Sequence, residues 1–264
     1  MSKSKSKKPV WVVGKERARR EAARETVWLF GLHAVRDALE NPARQRLRLI
    51  VTRNAADRLA DAIATSGMAP EIADPRKFPA PLDPGSVHQG AALEVRPLDW
   101  GGLDATCAAG EGRAVVLCLD RVTDPHNVGA ILRSAEVFGA RAVVAPRRGA
   151  APETGALAKT ASGALERQPY LRVQNLARAM AELAGMGYLL VGLDGAAEAT
   201  LDEVCADHAD RPLALVLGAE GPGLRALTRE SCDLLACIPA AGAFGSLNVS
   251  NAAAVALYAA TRGR

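Results

Sequence analysis

The sequence has no apolar run approaching the roughly 18–20 residues that span a bilayer, so no membrane helix is expected. Its first residues, Met1 to Lys8, lack the apolar core of a secretory signal. Cysteine is sparse: Cys107, Cys118, Cys205, Cys232 and Cys237 are odd in number and include no C-x-x-C pair. Scattered single thiols argue against a disulfide framework or a zinc site and fit a reduced, cytoplasmic setting. The four histidines are dispersed too, so no metal site is expected. No glycine loop ends in Gly-Lys-Ser/Thr, and the dinucleotide fingerprint G-x-G-x-x-G is absent. These two gaps exclude a P-loop and argue against a nicotinamide dehydrogenase.

What is present is a globular balance. Of 264 residues, 49% are apolar and 23% charged, which suits one large or two ordinary domains and excludes a disordered or fibrous chain. Positive charge is concentrated at one end. The net charge is +4, yet residues 1–25 alone hold nine Lys/Arg against three Glu. Such an arm can follow nucleic-acid phosphates without reading bases. The plainer alternative is a solvated tail.

Beyond the arm, the pattern predicts a small α/β unit over 26–97. It comprises a helix over Val27–Leu39 with the stripe Leu32, Val35, Leu39, a strand Leu47–Thr52, a helix Ala55–Ala64, and a strand Ala91–Val95. The prolines within Phe78–Gly90 predict a loop there, and the small residues over 98–112 read as a linker. From 113 to 264, continuous apolar runs alternate with helical periods. The runs are Ala114–Leu119, Ala142–Ala145, Tyr188–Leu193, Leu213–Leu217 and Leu234–Ile238; the helices are Val128–Phe138, Asn175–Met186 and Leu247–Tyr258. Such alternation predicts a parallel sheet covered on both faces, with ligands beyond the carboxyl ends of its strands.

Three loops fall at such ends. The first, Asp-Pro-His-Asn-Val-Gly-Ala, opens a helix on which Asn127 occupies the expected N-cap, Gly129 permits a close approach, and Arg133 lies off the apolar stripe. The second, Leu217-Gly-Ala-Glu-Gly, turns sharply; Gly218 and Gly221 would let a ligand rest on bare backbone, and Glu220 is its only charge. The third runs from Ile238-Pro239 to Ser-Leu-Asn-Val-Ser, where Ser246 or Asn248 can cap an alanine-rich helix. Taken singly, the first reads more readily as a capped helix with an exposed arginine and the second equally as a glycine turn or a ligand loop, whereas the polar Ser-x-Asn-x-Ser-Asn cluster of the third is unusual for packing alone.

Together and in this order, the three loops closely resemble the signature motifs of the SpoU (TrmH) family of RNA 2′-O-ribose methyltransferases in the SPOUT superfamily. The match covers 113–264, and the segment around His88-Gln89-Gly90 resembles the small substrate-binding domain that precedes the catalytic domain in some members. The resemblance implies S-adenosylmethionine as methyl donor, a trefoil knot in the C-terminal domain, a homodimer, and a guanosine ribose in ribosomal RNA, 23S above all, as target. A transfer-RNA ribose methyltransferase and a non-catalytic RNA-binding protein of the same fold are the alternatives. The resemblance also implies a catalytic centre of Asn127, Arg133, Glu220, Ser246 and Asn248. Cofactor-binding positions would be Leu217, Gly218, Gly221, Ile238, Pro239, Ser246, Leu247 and Asn248. Arg133 would lie near the reacting oxygen. Because arginine stays protonated in proteins, a phosphate clamp and stabiliser of alkoxide charge suits it better than a general base.

Overall fold

The computed structural model describes residues 26–108, 113–242 and 246–262; the basic arm, 1–25, lies outside the described residues. The first unit contains β1 (Val27–Phe30), α1 (Leu32–Glu40), β2 (Arg46–Val51), α2 (Arg53–Arg58), α3 (Ala60–Ser66), β3 (Glu71–Ile72) and β4 (Ala91–Val95). Its sheet order is β1-β4-β2-β3, with β4 antiparallel to both neighbours and β3 parallel to β2. The expected helix from Val27 is corrected here. Val27-Trp-Leu-Phe pairs with β4, and Gly31, at φ 90, turns the chain into the helix. Only the stripe Leu32, Val35, Leu39 is helical; the preceding aromatic and β-branched run favours the pleated surface.

The chain then forms α4 (Leu103–Thr106), β5 (Val115–Leu119), α5 (Pro125–Val137), β6 (Ala142–Pro146), α6 (Gly155–Ala161), β7 (Tyr170–Val173) and α7 (Leu176–Gly185). It ends with β8 (Leu189–Leu193), α8 (Leu201–Asp207), β9 (Leu213–Leu217), α9 (Ala226–Glu230), β10 (Leu234–Ala236) and α10 (Val249–Thr261). The six strands are all parallel, in the order β10-β8-β9-β5-β6-β7. Every residue of β5, β6 and β9 is buried, as expected of strands covered on both faces. Strand β7 and helices α6 and α8 were not read from the sequence. Part of the expected linker is structured: α4 precedes a fully buried Cys107, whose carbonyl accepts the Tyr188 hydroxyl at 2.7 Å.

The order reverses between β9 and β5. From β5 the chain builds outward to β7, then crosses to β8 and inserts β9 beside β5. The crevice beyond these two carboxyl ends is the topological switch point, where open α/β sheets bind ligands.

The two units are fastened by close packing and buried charge. A Cβ on Gly155 would stand 2.4 Å from the Phe30 ring, so glycine lets α6 press against β1. The fully buried Arg44 guanidinium donates to both Glu166 carboxylate oxygens at 2.7 and 2.9 Å, to Glu153 at 2.8 Å and to the Arg96 carbonyl at 2.8 Å. Asn41 adds a bond to Glu166, and Asp37 pairs with Arg167 at 2.8 Å.

Candidate active site

Three polar side chains from different loops meet at the switch point. The Asn127 amide donates to Glu220 Oε1 at 3.1 Å, and the Asn248 amide donates to Asn127 Oδ1 at 3.0 Å and also to Glu220 Oε1. The loops after β5 and β9 and the start of α10 therefore converge on one carboxylate.

Local chemistry sets each position. Asp124 caps α5, accepting from the His126 backbone at 2.9 Å, with Pro125 in the first turn where its missing N–H costs nothing. The expectation that Asn127 is the cap is thus corrected. It is the third residue of the helix, buried, and its amide is free to reach across to Glu220. Asn248, by contrast, caps α10 as expected: its Oδ1 accepts from the Ser250 backbone at 2.9 Å and hydroxyl at 2.6 Å. Capping uses its oxygen and turns its nitrogen toward Glu220.

Beside this cluster lies a cavity of about 710 Å³. Leu217, Gly218, Glu220 and Gly221 form one wall, Ile238 another, and Ser246, Leu247 and Asn248 a third. Of the expected cofactor positions only Pro239 stays outside the wall, exposed. The volume falls within the range of small-molecule sites, roughly 300–1,000 Å³. Leucine and isoleucine walls with exposed backbone edges suit a nucleoside and an aliphatic tail, so the residues fit S-adenosylmethionine.

Two glycine expectations diverge. A Cβ on Gly218 would fall 2.1 Å from the Gly223 carbonyl carbon, so the loop's own backbone fills that space rather than a ligand. Gly221, at φ 82, faces open space and supplies the left-handed turn. Gly129 does permit a close approach, by α6: its Cβ would lie 2.7 Å from the Leu157 carbonyl oxygen.

Arg133 is exposed on α5 and outside the cavity wall, and among the described residues it makes no hydrogen bond or ion pair. Sequence reasoning missed the residues that brace the site. Asp120, fully buried just past β5, accepts the Arg225 backbone at 3.0 Å and its guanidinium at 2.6 and 2.7 Å, tying the glycine loop to the neighbouring strand end. Burial opposes the ionised Asp120 carboxyl, but hydrogen bonds from Arg225 and Thr228 outweigh it and hold the group below the usual aspartate value. Leu193 and the ion-paired Asp194 and Arg229 also line the cavity. A carboxylate directly after an apolar strand was the available signal for Asp120.

Comparison with known proteins identifies the family and the fold. Residues 114–258 match the model of the SpoU rRNA methylase family, and residues 28–100 match that of the RNA 2′-O ribose methyltransferase substrate-binding domain. The chain is 42% identical over 243 residues to the 23S rRNA (guanosine-2′-O-)-methyltransferase RlmB of Ralstonia nicotianae, covering 89% of this chain and 95% of that protein. The protein of that name from Photorhabdus laumondii is 40% identical, with 89% and 98% covered. Among solved structures, the SpoU methyltransferase AviRb of Streptomyces viridochromogenes superposes with a TM-score of 0.76 at 24% identity, over 93% of this chain and 92% of that one. An AdoMet-bound rRNA methyltransferase from Sinorhizobium meliloti gives 0.74 at 21% identity, over 98% and 97%. The structural likenesses establish the fold.

Proposed function

The chain belongs to the SpoU rRNA methylase family, and from that premise we propose that it transfers a methyl group from S-adenosylmethionine to the 2′-hydroxyl of a guanosine ribose in 23S ribosomal RNA. The observation that carries this reading is the convergence of Asn127, Glu220 and Asn248 beside the 710 Å³ cavity. The relatives named for 23S rRNA guanosine methylation share the two-unit layout almost end to end, which favours ribosomal over transfer RNA.

S-adenosylmethionine, when bound, supplies an electrophilic sulfonium methyl; the chain must align a ribose oxygen with it and help remove the hydroxyl proton. Alignment of two reactants can lower a barrier by roughly 7–11 kcal/mol at best. Asn127 and Asn248 fix the Glu220 carboxylate through Oε1, which leaves Oε2 to accept the 2′-hydroxyl proton. Arg133, exposed on α5, clamps an RNA phosphate and stabilises the negative charge that develops on the oxygen. Ser246 and Leu247 line the cavity beside Asn248.

The reading includes a homodimer in the cytoplasm. Val137 on α5 and Val255 and Tyr258 on α10 are exposed apolar side chains on packed neighbours, and the edge contact of Tyr258 with Phe138 joins them into one face. The knot implied by the resemblance belongs to the same proposal. The chain returns from edge strand β10 to place α10 over β5 and β9.

The test is mass spectrometry of nucleosides after incubating the full chain and S-adenosylmethionine with unmodified 23S rRNA or tRNA. The expected product is 2′-O-methylguanosine from the ribosomal RNA. Methylation confined to tRNA, or none at all, would overturn the assignment.

A further inference from the structure

A second cavity, of about 590 Å³, opens in the first unit between the start of α2, β3 and the turn at His88-Gln89-Gly90. Its chemistry is unlike that of the first. Arg53 and Asn54 stand exposed in its wall, and among the described residues their side chains make no hydrogen bond or ion pair. Ile72 and Pro75 give it an apolar side. His88 forms a third side, its ring stacked at 4.2 Å and 19° on Phe78. Because His88 Nδ1 accepts from the Gly90 backbone at 3.1 Å, the neutral ring carries its proton on Nε2. The turn itself is fixed: Gln89 and Gly90 are both left-handed, at φ 53 and 78, and Gln89 Oε1 accepts from the Leu32 backbone at 3.1 Å.

We infer that this cleft holds the base of one unpaired nucleotide of the substrate RNA, next to the stretch that carries the methylated ribose. This rests on the function proposed above. The His88 ring, the aliphatic side of Ile72 and Pro75 and the exposed donors of Arg53 and Asn54 match how single-stranded RNA is read, by stacking unpaired bases and bonding their edges, while the lining carboxylate of Asp74 accepts from the Arg76 backbone. The guanidinium of Arg53 and the amide of Asn54 suit the acceptor-rich outer edge of a purine. The position suits it as well. From Glu220, contact passes through Asn127 to the start of α5, where His126 Nδ1 meets Thr160 Oγ1 of α6 at 3.0 Å. The adjacent Lys159 Nζ donates to the Val87 carbonyl at 3.1 Å, one residue before the stacked histidine. A chain of contacts across α5 and α6 thus links the active-site loop to the cleft, and the buried Arg44 cluster holds the units in register.

Arg53→Ala and Asn54→Ala test this in the full-length protein, with Arg58→Ala as the control. Arg58 is an exposed cation at the other end of α2, outside the cleft. Methylation kinetics use an unmodified 23S rRNA transcript, and fluorescence anisotropy gives RNA affinity. Each cleft variant should raise KM and Kd for RNA about tenfold, in line with the loss of one base contact. The kcat, S-adenosylmethionine affinity and melting temperature should stay within error of wild type, and Arg58→Ala should change RNA affinity by less than about twofold. Wild-type KM and Kd in both cleft variants, or an equal loss in Arg58→Ala, would overturn the cleft while leaving the methyltransferase reading intact. If the wild type methylates no RNA, that reading falls, and the anisotropy comparison still decides the cleft.

Discussion

Replacing Arg44 with methionine should be among the costliest single changes outside the active site. The guanidinium is wholly buried and makes four hydrogen bonds, three to the carboxylates of Glu166 and Glu153 and one to the Arg96 carbonyl. Methionine fills similar space but leaves two carboxylates facing each other without a cation. Removing one partner from a buried ion pair costs about 3–5 kcal/mol, because the orphaned charge remains desolvated. For a chain of this size that corresponds to a fall in melting temperature of roughly 6–20 °C, at about 2–4 °C per kcal/mol. Calorimetry at pH 7 reads it directly. Adding Glu166→Gln to Arg44→Met should recover part of the loss, since the amide can keep the bond to Asn41 without the charge. Glu153→Gln alone should be neutral or stabilising at pH 7. Burial pushes the Glu153 carboxyl above the usual glutamate value even with Arg44 beside it, so the wild type loses stability as pH rises past about 4.5, and the amide variant does not. A melting temperature for Arg44→Met within about 2 °C of wild type would refute the idea that this cluster locks the two units together.

Arg133→Ala should lower methylation at least about 100-fold, the usual cost of losing one charge-stabilising donor. Its S-adenosylmethionine affinity should hold, because Arg133 stands outside the cavity wall; parallel loss of both by calorimetry would make the residue structural. Gly218→Ala should displace the loop, since the new Cβ meets Gly223 backbone at 2.1 Å. Cofactor binding should weaken more than tenfold and stability fall by about 1–3 kcal/mol; unchanged titration isotherms would contradict this. Asp120→Asn should weaken cofactor binding through the Arg225 anchor. Because the Asp120 carboxyl is held below its usual value, its stabilisation is complete above about pH 4 and fades as pH falls further, so the gap between wild type and variant in urea titrations should close in acid. A gap that widens in acid would contradict the anchor.

The parallel sheet was legible because burial on both faces leaves continuous apolar runs: Ala114–Leu119 and Leu213–Leu217 fall on β5 and β9 almost residue for residue. Strand β7 was not, because Tyr170-Leu-Arg-Val is an edge strand with only two of its four residues buried. Helix α6 escaped for a related reason. Five of its seven residues are small, and it holds close contacts with Phe30 on one side and Gly129 on the other, so packing rather than periodicity defines it. The strand before α1 was absorbed into the helix because Val27–Phe30 and the helical stripe are both apolar, and only the left-handed Gly31 separates them.

The site divides along the same line. Loop residues that announce themselves by unusual local chemistry, such as Glu220 among glycines or Asn248 before an alanine-rich helix, were found in one dimension and are joined in three. Residues whose meaning comes from a distant partner were silent. Arg44 and Glu166 are 122 positions apart, and Asp120 and Arg225 are 105 apart. In each pair an ordinary charged residue gains its role only when the partner removes the cost of burying it. Asn127 shows both sides at once. Its position at the mouth of a helix marked it as polar and significant, yet the obvious capping duty belongs to Asp124. That division of labour leaves Asn127 Oδ1 to accept from Asn248 while its amide nitrogen joins the β5 loop to the glycine loop 93 residues later. The polar cluster around Glu220 therefore depends on a capping choice made three residues upstream of Asn127. Asp124→Ala should free the helix end to recruit the Asn127 side chain, at a cost of about 1 kcal/mol in stability but a larger loss in methylation. Full activity in a measurably destabilised Asp124→Ala variant would show that the amide reaches Glu220 without help from the cap.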